Sequence, residues 1–415
     1  MLDITLLRKQ PEEVRKGIAA KNGDPKLVDR FLELDARWRA LTKEAEEMRA
    51  EQKKLGEAKK IDEAKALKEK AEAKSEELKR TEKEREEALR RMPNLPLADV
   101  PRGKSAEENI VLREVGVKTE FDFKPKEYLE IGERLGIIDV KHAAKSSGTR
   151  FGALEEEAVL LEFALVRLAF DALVKEGFTP IIPPVLVGAK MMQGMGFVDA
   201  PKDAEEAYYI EKDDLFLVGT SEQSVIPLHA GHSFSAKDLP HRHVAFSTCF
   251  RREAGSHGKD TKGILRVHQF DKVEMLSITA PEDSEKEHQF LLSVSEKLMQ
   301  ALNIPYRVVA LCGGDLSRPS AKTYDIEAWL PGSGQYRETH SVSNTTDFQA
   351  RRLGIKYGSE RGTGFAHVLN GTAFAIGRAL IAILENYQQK DGSVKIPDAL
   401  QSQMSGMKEI KRASK

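Results

Sequence analysis

Cysteine is nearly absent from this sequence of 415 residues, which contains only Cys249 and Cys312. Two thiols so far apart in the chain form neither a disulfide framework nor a CxxC zinc knuckle. The cysteine content therefore suits a reducing compartment, and we expect a cytoplasmic protein.

Other absences exclude further classes of protein. No stretch approaches the roughly 18 consecutive apolar residues that a membrane-spanning helix requires, and the opening MLDITLLRKQPEEVRKG lacks the apolar centre of a signal peptide. The net charge of −1 excludes a global basic field, so a nucleic-acid partner must be held by local patches. Neither a strand–GxGxxG–helix unit nor a GxxxxGK(S/T) motif occurs, which argues against a Rossmann site and a P-loop.

A charged block is present instead at residues 31–92, with 18 Lys or Arg, 17 Asp or Glu, no Pro and one Gly. Apolar residues recur in it at alternating steps of three and four, which predicts a heptad seam. The first seam, interrupted by Gln52, comprises Phe31, Leu34, Trp38, Leu41, Ala45, Met48 and Leu55. A thinner second seam starts near Ile61 and comprises Ala64, Leu67, Ala71, Leu78, Ala88 and Met92.

The block is predicted to be a two-helix arm. Gly56 can end the first helix, and two helices joined by a short turn run antiparallel, over about 45 Å here. Pro93 and the prolines after it end the second helix, and a linker follows. Taken alone, the arm fits a dimerisation coiled coil or a spacer as well as an RNA-binding element. The lysines near its tip fit either phosphate contacts or a solvated helix end; they are Lys53, Lys54, Lys59 and Lys60.

From about residue 115 the pattern changes to short β-branched and aromatic runs separated by turns. Residues 155–178 predict an amphipathic helix that ends at Gly177. Strands that follow one another with short turns predict an antiparallel sheet. The predicted strand segments are 179–187, 207–220, 243–252, 264–278, 304–312, 323–331 and 334–344.

The segment FRREAGSHGKDTKGILRVHQFDKVEM, residues 250–275, is predicted to be a hairpin. With period two, one face of its strands carries cations, an aromatic ring and carboxylates. That face comprises Ser247, Cys249, Arg251 and Glu253 on the first strand and Arg266, His268, Phe270, Lys272 and Glu274 on the second. Arginines clamp phosphate, an aromatic face stacks a base, and the loop AGSHGKDTKG can close over a ligand. A nucleotide or RNA site and a plain surface ribbon both remain open.

These residues resemble the seryl-tRNA synthetase family of class II aminoacyl-tRNA synthetases. FRxE followed by RxxxF resembles motif 2 (about 244–275), GFTPIIPP resembles motif 1 (about 165–190, with Pro184 as its key proline), and GRAL lies in motif 3 (about 366–387). The opening, the arm, VGTSEQ, AKTYDIEAWLPGSGQYRE and SNTTDFQARRL fit the same family.

The resemblance implies an α+β protein of two domains. Residues 1–110 would be a tRNA-binding domain with the arm at about 29–92. Residues 111–415 would be a class II catalytic domain, an antiparallel sheet flanked by helices, that dimerises through motif 1. The implied activity is activation of L-serine by ATP and transfer of the seryl group to tRNA(Ser), with tRNA(Sec) as an open second acceptor.

The resemblance also assigns the site. Arg251, Arg266 and Arg378 would be catalytic, holding the phosphates. ATP would be bound by Arg251, Arg252, Glu253, Arg266, Val267, Phe270, Glu338, Thr339, His340, Ser341 and Arg378. Serine would be bound by Thr220, Ser221, Glu222, Arg251, Glu274, Asn344 and Thr372. Mg²⁺ would be held by Glu338 and Ser341, whose oxygen ligands suit that ion. RETHSVSN departs from the family's usual REISSCSN here, and a structural role for His340 competes with a binding one.

Other readings are weaker. HAGH at residues 229–232 mimics a class I synthetase signature, but no KMSKS-like segment follows, so His229 and His232 are expected in a loop. A relative that loads a carrier protein would lack the arm. An inactive RNA-binding paralogue would lack the arginines, and a coiled-coil scaffold leaves the residues after the arm unexplained. The polar tail from Gln401 is expected to fray.

Overall fold

The computed structural model describes residues 1–58, 60–198, 206–254, 262–359 and 362–412, apart from the side chains of 61, 64 and 359. Contacts divide the chain into two units, Met1–Leu95 and Pro96–Lys415. Within the described ranges, no helix combines the length and the apolar character needed to cross a membrane.

The first unit contains four helices: α1 (Ile4–Lys9), α2 (Pro11–Ala20), α3 (Lys26–Glu57) and α4 (Ile61–Arg91). Ion pairs join α3 to α4 at two levels, Arg30 to Glu84 at 3.0 Å and Arg37 to Glu77 at 2.8 Å. The later residue of α3 thus pairs with the earlier residue of α4, so the two helices run antiparallel, which confirms the predicted arm. Gly56 lies inside the last turn of α3, which ends one residue later than predicted.

The predicted seams lie between the two helices. Phe31, Leu34, Leu41, Ala45, Ala88 and Met92 are buried, and Trp38, Met48, Leu55, Leu67, Ala71 and Leu78 are half-buried. The side chain of Ala64 and the tip residue Lys59 lie outside the described part of the chain. The exposed outer faces carry the balanced charge, as expected of an amphipathic pair.

A buried carboxylate lies beside the apolar seam of α3. The Asp35 side chain has no exposed surface, and its oxygens accept hydrogen bonds from Arg8 Nε at 2.9 Å and Arg85 Nε at 2.8 Å. Arg39 Nε lies 3.2 Å away. Burial alone would raise the pKa of Asp35, but the hydrogen bonds from Arg8 and Arg85 outweigh it and lower that pKa. Heptad spacing gave no sign of this ionic cluster.

The second unit is built on strands. They are β1 (Ile110–Val115), β2 (Ile138–Asp139), β3 (Ala153–Leu154), β4 (Thr179–Ile181), β5 (Leu186–Gly188), β6 (Tyr209–Ile210), β7 (Leu215–Leu217), β8 (Ser233–Ser235), β9 (His241–Phe250), β10 (Gln269–Thr279), β11 (Tyr306–Ala310), β12 (Lys322–Leu330), β13 (Gln335–Asn344), β14 (Lys356–Ser359), β15 (Gly362–Phe365), β16 (His367–Ala375), β17 (Val394–Lys395) and β18 (Glu409–Ile410). Its helices are α5 (Tyr128–Leu135), α6 (Lys141–Ser147), α7 (Glu157–Lys175), α8 (Ala189–Met195), α9 (Glu222–Val225), α10 (Ser284–Ala301), α11 (Phe348–Leu353), α12 (Ile376–Asn386) and α13 (Asp398–Gln401).

Eight strands form one sheet in the order β1-β11-β12-β13-β16-β10-β9-β4. Every neighbouring pair is antiparallel except β4 and β9, which run parallel. The antiparallel sheet flanked by helices is therefore confirmed. Each predicted strand segment contains a strand, and α7 ends just before Gly177, which has a φ of 87°.

Apolar side chains alternate between the two faces of the sheet. Val244 on β9 and Met275 on β10 join the larger core cluster, to which α7, α10 and α12 contribute, while Ala245 and Leu276 join a smaller cluster. Lys272 shares the side of Leu276 by the same alternation. The polar positions of β10 therefore lie on the sheet face that the large core leaves free.

The hairpin is shorter than predicted. β9 ends at Phe250 and β10 begins at Gln269, so the expected alternation through Arg251, Glu253, Arg266 and His268 is wrong. Glu253 has a φ of 53°, in the left-handed region that no strand residue occupies. His268 lies with its Nδ1 2.9 Å from the Arg251 carbonyl oxygen. Residues 255–261 of the loop expected to close over a ligand lie outside the described residues.

Candidate active site

A cavity of about 280 Å³ opens on the free face of the sheet, along β10, β13 and β16 and at the start of α12. Strand ends and the alternating positions of central strands supply its wall. The predicted site residues that line it are Thr220, Glu222, Arg251, Glu253, Arg266, Val267, Phe270, Glu274, Glu338, Thr339, Ser341, Thr372 and Arg378. The sequence regions that carry the resemblance therefore converge on one concave surface.

Arg251 follows directly after the last residue of β9. Its backbone N–H donates to the His268 carbonyl oxygen at 2.9 Å, and its Nε donates to the Gly219 carbonyl oxygen at 3.2 Å. The guanidinium carbon lies 5.2 Å from the centre of the Phe270 ring. An oriented guanidinium beside an aromatic face suits a ligand that carries both phosphate and a base.

Glu253 and Arg266 form a second pair at the mouth of the hairpin. Arg266 Nε lies 3.3 Å from Glu253 Oε2, and 41% of the Arg266 side chain is exposed. Arg150 Nη1 donates to the Glu253 carbonyl oxygen at 2.7 Å, which supports the left-handed turn at that residue. The carboxylate is thus paired with a partly exposed guanidinium that lines the cavity.

A β-bulge brings Glu338 and Ser341 to the same face of β13. Residues three apart normally point to opposite faces of a strand. Ile326 of β12 pairs with His340 but Glu327 pairs with Glu338, so Thr339 is the extra residue. Glu338 and Ser341 both line the cavity as a result.

The same bulge sends His340 into the interior. It is buried, with its Nδ1 2.8 Å from Thr339 Oγ1 and its Nε2 2.9 Å from the Ala373 carbonyl oxygen. Burial lowers the pKa of His340 to about 4, so the imidazole is neutral at pH 7.

The charges next to this bulge are tightly coupled. Arg378, near the start of α12, lies 3.0 Å from Glu338 Oε1. Burial opposes ionisation of Glu338, but the charge of Arg378 outweighs it and lowers the pKa of Glu338. Burial and the charge of Glu338 raise the pKa of neighbouring Asp325, against a hydrogen bond from Ser341. Asp325 Oδ1 is buried and has no hydrogen-bond partner.

Two carboxylates lie at the inner end of the cavity. Glu274 Oε2 is 3.2 Å from Thr220 Oγ1 and forms an ion pair with Lys272, whose Nζ donates to the same hydroxyl at 3.0 Å. Glu222 accepts a hydrogen bond from Gln349 Nε2 at 2.7 Å. Burial raises the pKa of Glu222 to about 7 despite that bond. Paired acidic groups in a polar, enclosed space suit a small cationic ligand group.

Four predicted residues are not part of the cavity wall. Arg252 is exposed and donates to the Ala207 carbonyl oxygen at 3.0 Å. Asn344 is buried and donates to Ser284 Oγ at 2.8 Å, and Ser221 is buried with its hydroxyl unpaired. His340 is the fourth. Their binding roles remain predictions.

The cavity also has lining residues that the sequence did not assign. They are Phe197, Ile264, Leu265, Lys272, Ser317, Pro319, Ser320, Ser343, Asn370, Ala375 and Gly377. Two of these carried a signal: Lys272 shares the strand face of Phe270 and Glu274, and Asn370 lies two residues before Thr372 on β16. Of the others, Ile264, Leu265, Ser343, Ala375 and Gly377 lie in segments that resemble the family motifs, whereas Phe197, Ser317, Pro319 and Ser320 lie outside them.

Comparison with known proteins gives consistent matches over the whole chain. Residues 1–96 match the seryl-tRNA synthetase N-terminal domain, and residues 207–387 match the tRNA synthetase class II core domain (G, H, P, S and T). The serine–tRNA ligase of Acidothermus cellulolyticus is 48% identical over 410 residues, which cover 96% of this chain and 97% of that protein. That of Thermosipho africanus is 43% identical over 433 residues, with coverage of 96% and 97%.

Solved structures agree. Seryl-tRNA synthetase from Pyrococcus horikoshii, complexed with ATP, superposes with a TM-score of 0.94 at 39% identity and covers 100% of both chains. The cytoplasmic serine–tRNA ligase of Naegleria fowleri, in complex with AMP, gives a TM-score of 0.90 at 35% identity and covers 100% of this chain and 99% of that one.

Proposed function

This chain belongs to the seryl-tRNA synthetase family and catalyses its reaction, the ATP-dependent ligation of serine to tRNA; on that premise, we propose that the cavity on the central sheet is where serine is activated. The observation that carries the proposal is the convergence of three guanidinium groups, an aromatic ring and four carboxylates around one cavity. The guanidinium groups belong to Arg251, Arg266 and Arg378.

We assign ATP to the end of the cavity with the arginines. Phe270 stacks on the adenine, and Glu253 accepts a hydrogen bond from its amino group. Arg251 binds the α-phosphate, while Arg266 and Arg378 bind the distal phosphates. The contact of Arg251 with Phe270 supports this division, because one nucleotide can bind both groups at once.

Serine is assigned to the inner end. Its ammonium lies between the carboxylates of Glu222 and Glu274, and Thr220 and Thr372 complete the polar pocket. The β10–β16 register supports this, since Glu274 pairs directly with Thr372. A hydroxyl-binding pocket rejects alanine because its polar groups would stay unpaired without the substrate hydroxyl.

The reaction needs no nucleophilic side chain. The serine carboxylate attacks the α-phosphorus of ATP in line, the bond to the β-phosphate bridging oxygen breaks, and pyrophosphate leaves with that electron pair. Arg251 stabilises the negative charge on the α-phosphoryl oxygens, and Arg266 and Arg378 hold the leaving group. Positioning and fixed charge therefore supply most of the rate enhancement. The terminal ribose hydroxyl of tRNA then attacks the seryl carbonyl carbon of the adenylate, the bond from that carbon to the phosphate oxygen breaks, and AMP leaves with the electron pair. The hydroxyl proton passes to the released phosphate or to water.

The residues around the bulge fit a magnesium ion. Glu338 and Ser341 would hold it, and the unpaired Oδ1 of Asp325 adds a further oxygen beside them. Such an all-oxygen set is the one Mg²⁺ prefers. The ion, when bound, would offset phosphate charge at this wall.

We further propose that the arm binds the tRNA body and that motif 1 forms a homodimer interface. Recognition by the arm would rest on shape and phosphate contacts. For the interface, large apolar side chains are exposed on α7, just after β4 and at the start of β5, which supports burial against a second copy. They are Leu160, Phe163, Val174, Ile182 and Leu186.

The test of the proposed site is serine-dependent exchange of labelled pyrophosphate into ATP without tRNA, with threonine, alanine and glycine as controls. Wild type is expected to exchange with serine selectively. Arg251→Gln should reduce the exchange about 100-fold or more. Arg113→Gln is the matched control. Arg113 lies on the edge strand β1, where it forms an ion pair with Glu296 of α10, and its replacement should leave the exchange unchanged. Equal exchange by the two variants would refute the assignment.

Charging of tRNA(Ser) and tRNA(Sec) transcripts, run side by side, decides whether tRNA(Sec) is a second acceptor.

A further inference from the structure

Three histidines from two separate segments meet outside the active-site cavity. His229 ends the short 3₁₀ helix Ile226–His229, whereas His241 and His243 lie two residues apart on β9 and share one face of it. All three are half-buried. Among the described residues, they form the one group of three or more His, Cys, Asp or Glu whose ligand atoms lie within 4.8 Å of one another.

Their ring nitrogens lie close together. The Nε2 of His243 is 3.0 Å from the Nε2 of His241 and 3.3 Å from the Nε2 of His229. A tetrahedral metal with nitrogen ligands at about 2.0–2.1 Å places those nitrogens about 3.3 Å apart. Two of the three separations therefore already match a coordination edge.

Hydrogen bonding alone does not account for this convergence. A neutral imidazole has one donor and one acceptor nitrogen, so His243 Nε2 can complete a good hydrogen bond with only one of its two neighbours. The arrangement leaves at least one nitrogen facing another without a proton between them. A metal ion, by contrast, accepts one lone pair from each of the three nitrogens.

The surroundings suit imidazole ligands. Burial, together with the nearby histidines, lowers the pKa of His229 to about 4, and burial also lowers the pKa of His241 and His243. The rings are therefore neutral at pH 7, the form that binds metals. His243 Nδ1 is buried beside the backbone of Thr179 on β4 and has no fully formed hydrogen bond. Backbone groups in this position orient metal-bound histidines in other proteins.

We propose that His229, His241 and His243 form a binding site for a divalent transition-metal ion, with Zn²⁺ as the ion that fits best. Three imidazoles favour zinc over magnesium or calcium, which prefer oxygen ligands. Three protein ligands leave the fourth position to water. The ion would tie the segment around His229 to β9 and hence to the edge of the sheet, apart from the reaction.

The experiment is calorimetric titration of ZnCl₂ into the full-length, untagged, chelator-stripped protein. Mg²⁺ is kept in large excess, so that the oxygen ligands around Glu338 are occupied. Wild type is expected to bind one equivalent of Zn²⁺ per chain. His229→Gln, His241→Gln and His243→Gln should each weaken that binding at least about 100-fold, the upper end of what losing an outer-shell partner costs.

His142→Gln is the matched control. His142 is exposed on α6 and interacts with Asp139, away from the cluster, so its loss should not change the Zn²⁺ affinity. Circular dichroism of each zinc-free variant confirms folding, and Zn²⁺ should raise the thermal midpoint of wild type and of His142→Gln only. Absence of a one-equivalent binding step in wild type would overturn the proposal. So would a step that survives in all three cluster variants.

Discussion

The Arg378 guanidinium holds Glu338 at two points, since its Nη1 lies 3.0 Å from Glu338 Oε1 and donates to the Glu338 carbonyl oxygen at 2.9 Å. Glu338 lies at the bulge of β13 and Arg378 lies in the first turn of α12. The bulge and the change from strand to helix therefore bring opposite charges together. Each charge favours the ionised form of the other. The residues proposed to bind phosphate and Mg²⁺ therefore hold each other in position before ATP arrives.

Glu338→Gln should reduce pyrophosphate exchange about 100-fold and raise the Mg²⁺ concentration at half-maximal rate. The amide keeps the shape of the side chain but loses the charge that Arg378 and a cation require. Exchange kinetics as a function of Mg²⁺ concentration check this. Glu327→Gln is the control, because Glu327 pairs with Glu338 across the strands, binds Arg307 and does not line the cavity. A Glu338 variant with normal Mg²⁺ dependence would contradict the assignment.

Glu222 should make serine binding depend on pH. Burial raises its pKa to about 7, so below that pH the carboxyl is largely neutral and cannot pair with the serine ammonium. As pH rises toward 7, the KM for serine should fall about tenfold per pH unit, and above pH 7 it should level off. Glu222→Gln should give a high KM that does not change between pH 6 and 8. The exposed Glu211→Gln should keep the wild-type profile.

The raised pKa of Glu222 affects folding stability in the opposite direction: rising pH strengthens serine binding but weakens the folded state. In the unfolded chain Glu222 ionises near its ordinary value of 4.5, before the folded state does. The folded state therefore loses stability as pH rises from about 4.5 to about 7. Thermal unfolding of wild type and Glu222→Gln should diverge over this window, with the variant relatively more stable at the upper end. Parallel curves would show that burial does not perturb this carboxyl.

The fold was predictable where a single period governs the chain. The seam of α3 and the strands of the sheet follow periods of 3.5 and 2, and the structure contains both. The pocket wall around Glu338 was not predictable from period alone, because the extra residue Thr339 reverses the expected face. The left-handed Glu253 ends strand alternation in the same way. Period two singled out Glu253 but with the wrong backbone geometry, whereas only the resemblance, which carries residue types at fixed spacings, indicated Glu338 and Ser341.

Contacts between distant segments left no local signal. Asp35 occupies a seam flank where a surface carboxylate is ordinary, and only the fold brings Arg8 and Arg85 to it. His229 and His243 similarly lie in different segments and meet through tertiary packing. Both clusters depend on long-range geometry, which sequence spacing within one element does not encode.

Phe270→Leu should raise the KM for ATP about tenfold and leave the KM for serine within twofold. Leucine keeps apolar volume but removes the aromatic face proposed for adenine and its contact with Arg251, together on the order of 1–2 kcal/mol. Exchange kinetics with each substrate varied separately check it. Phe365→Leu is a close control, since Arg351 lies 4.7 Å from that ring, outside the cavity. Equal effects on both KM values would indicate general loosening of the hairpin.

Asp35→Asn should destabilise the arm by about 3–5 kcal/mol, because it leaves Arg85 facing an amide inside the seam. Fluorescence of Trp38 in a Trp329→Phe background follows unfolding of this unit alone, since the sequence has only 2 tryptophans. The lowered pKa of Asp35 also means that its contribution is complete above the ordinary value of 3.8 and is lost as pH falls below it. The exposed Glu47→Gln should unfold like wild type.

The last prediction concerns the arm tip. Lys53 and Lys54 are exposed near the end of α3, where they can reach phosphates of a bound RNA. Replacing both with glutamate should raise the KM for tRNA at least tenfold. It should also reduce the slope of log affinity against log salt concentration by about one per lysine. Serine-dependent pyrophosphate exchange should be unaffected, because it takes place in the other unit. The same double replacement at Lys79 and Lys83, exposed on α4 away from the tip, controls for net charge. If both double variants bind tRNA equally well, the tip does not contact RNA and the arm must bind through another surface.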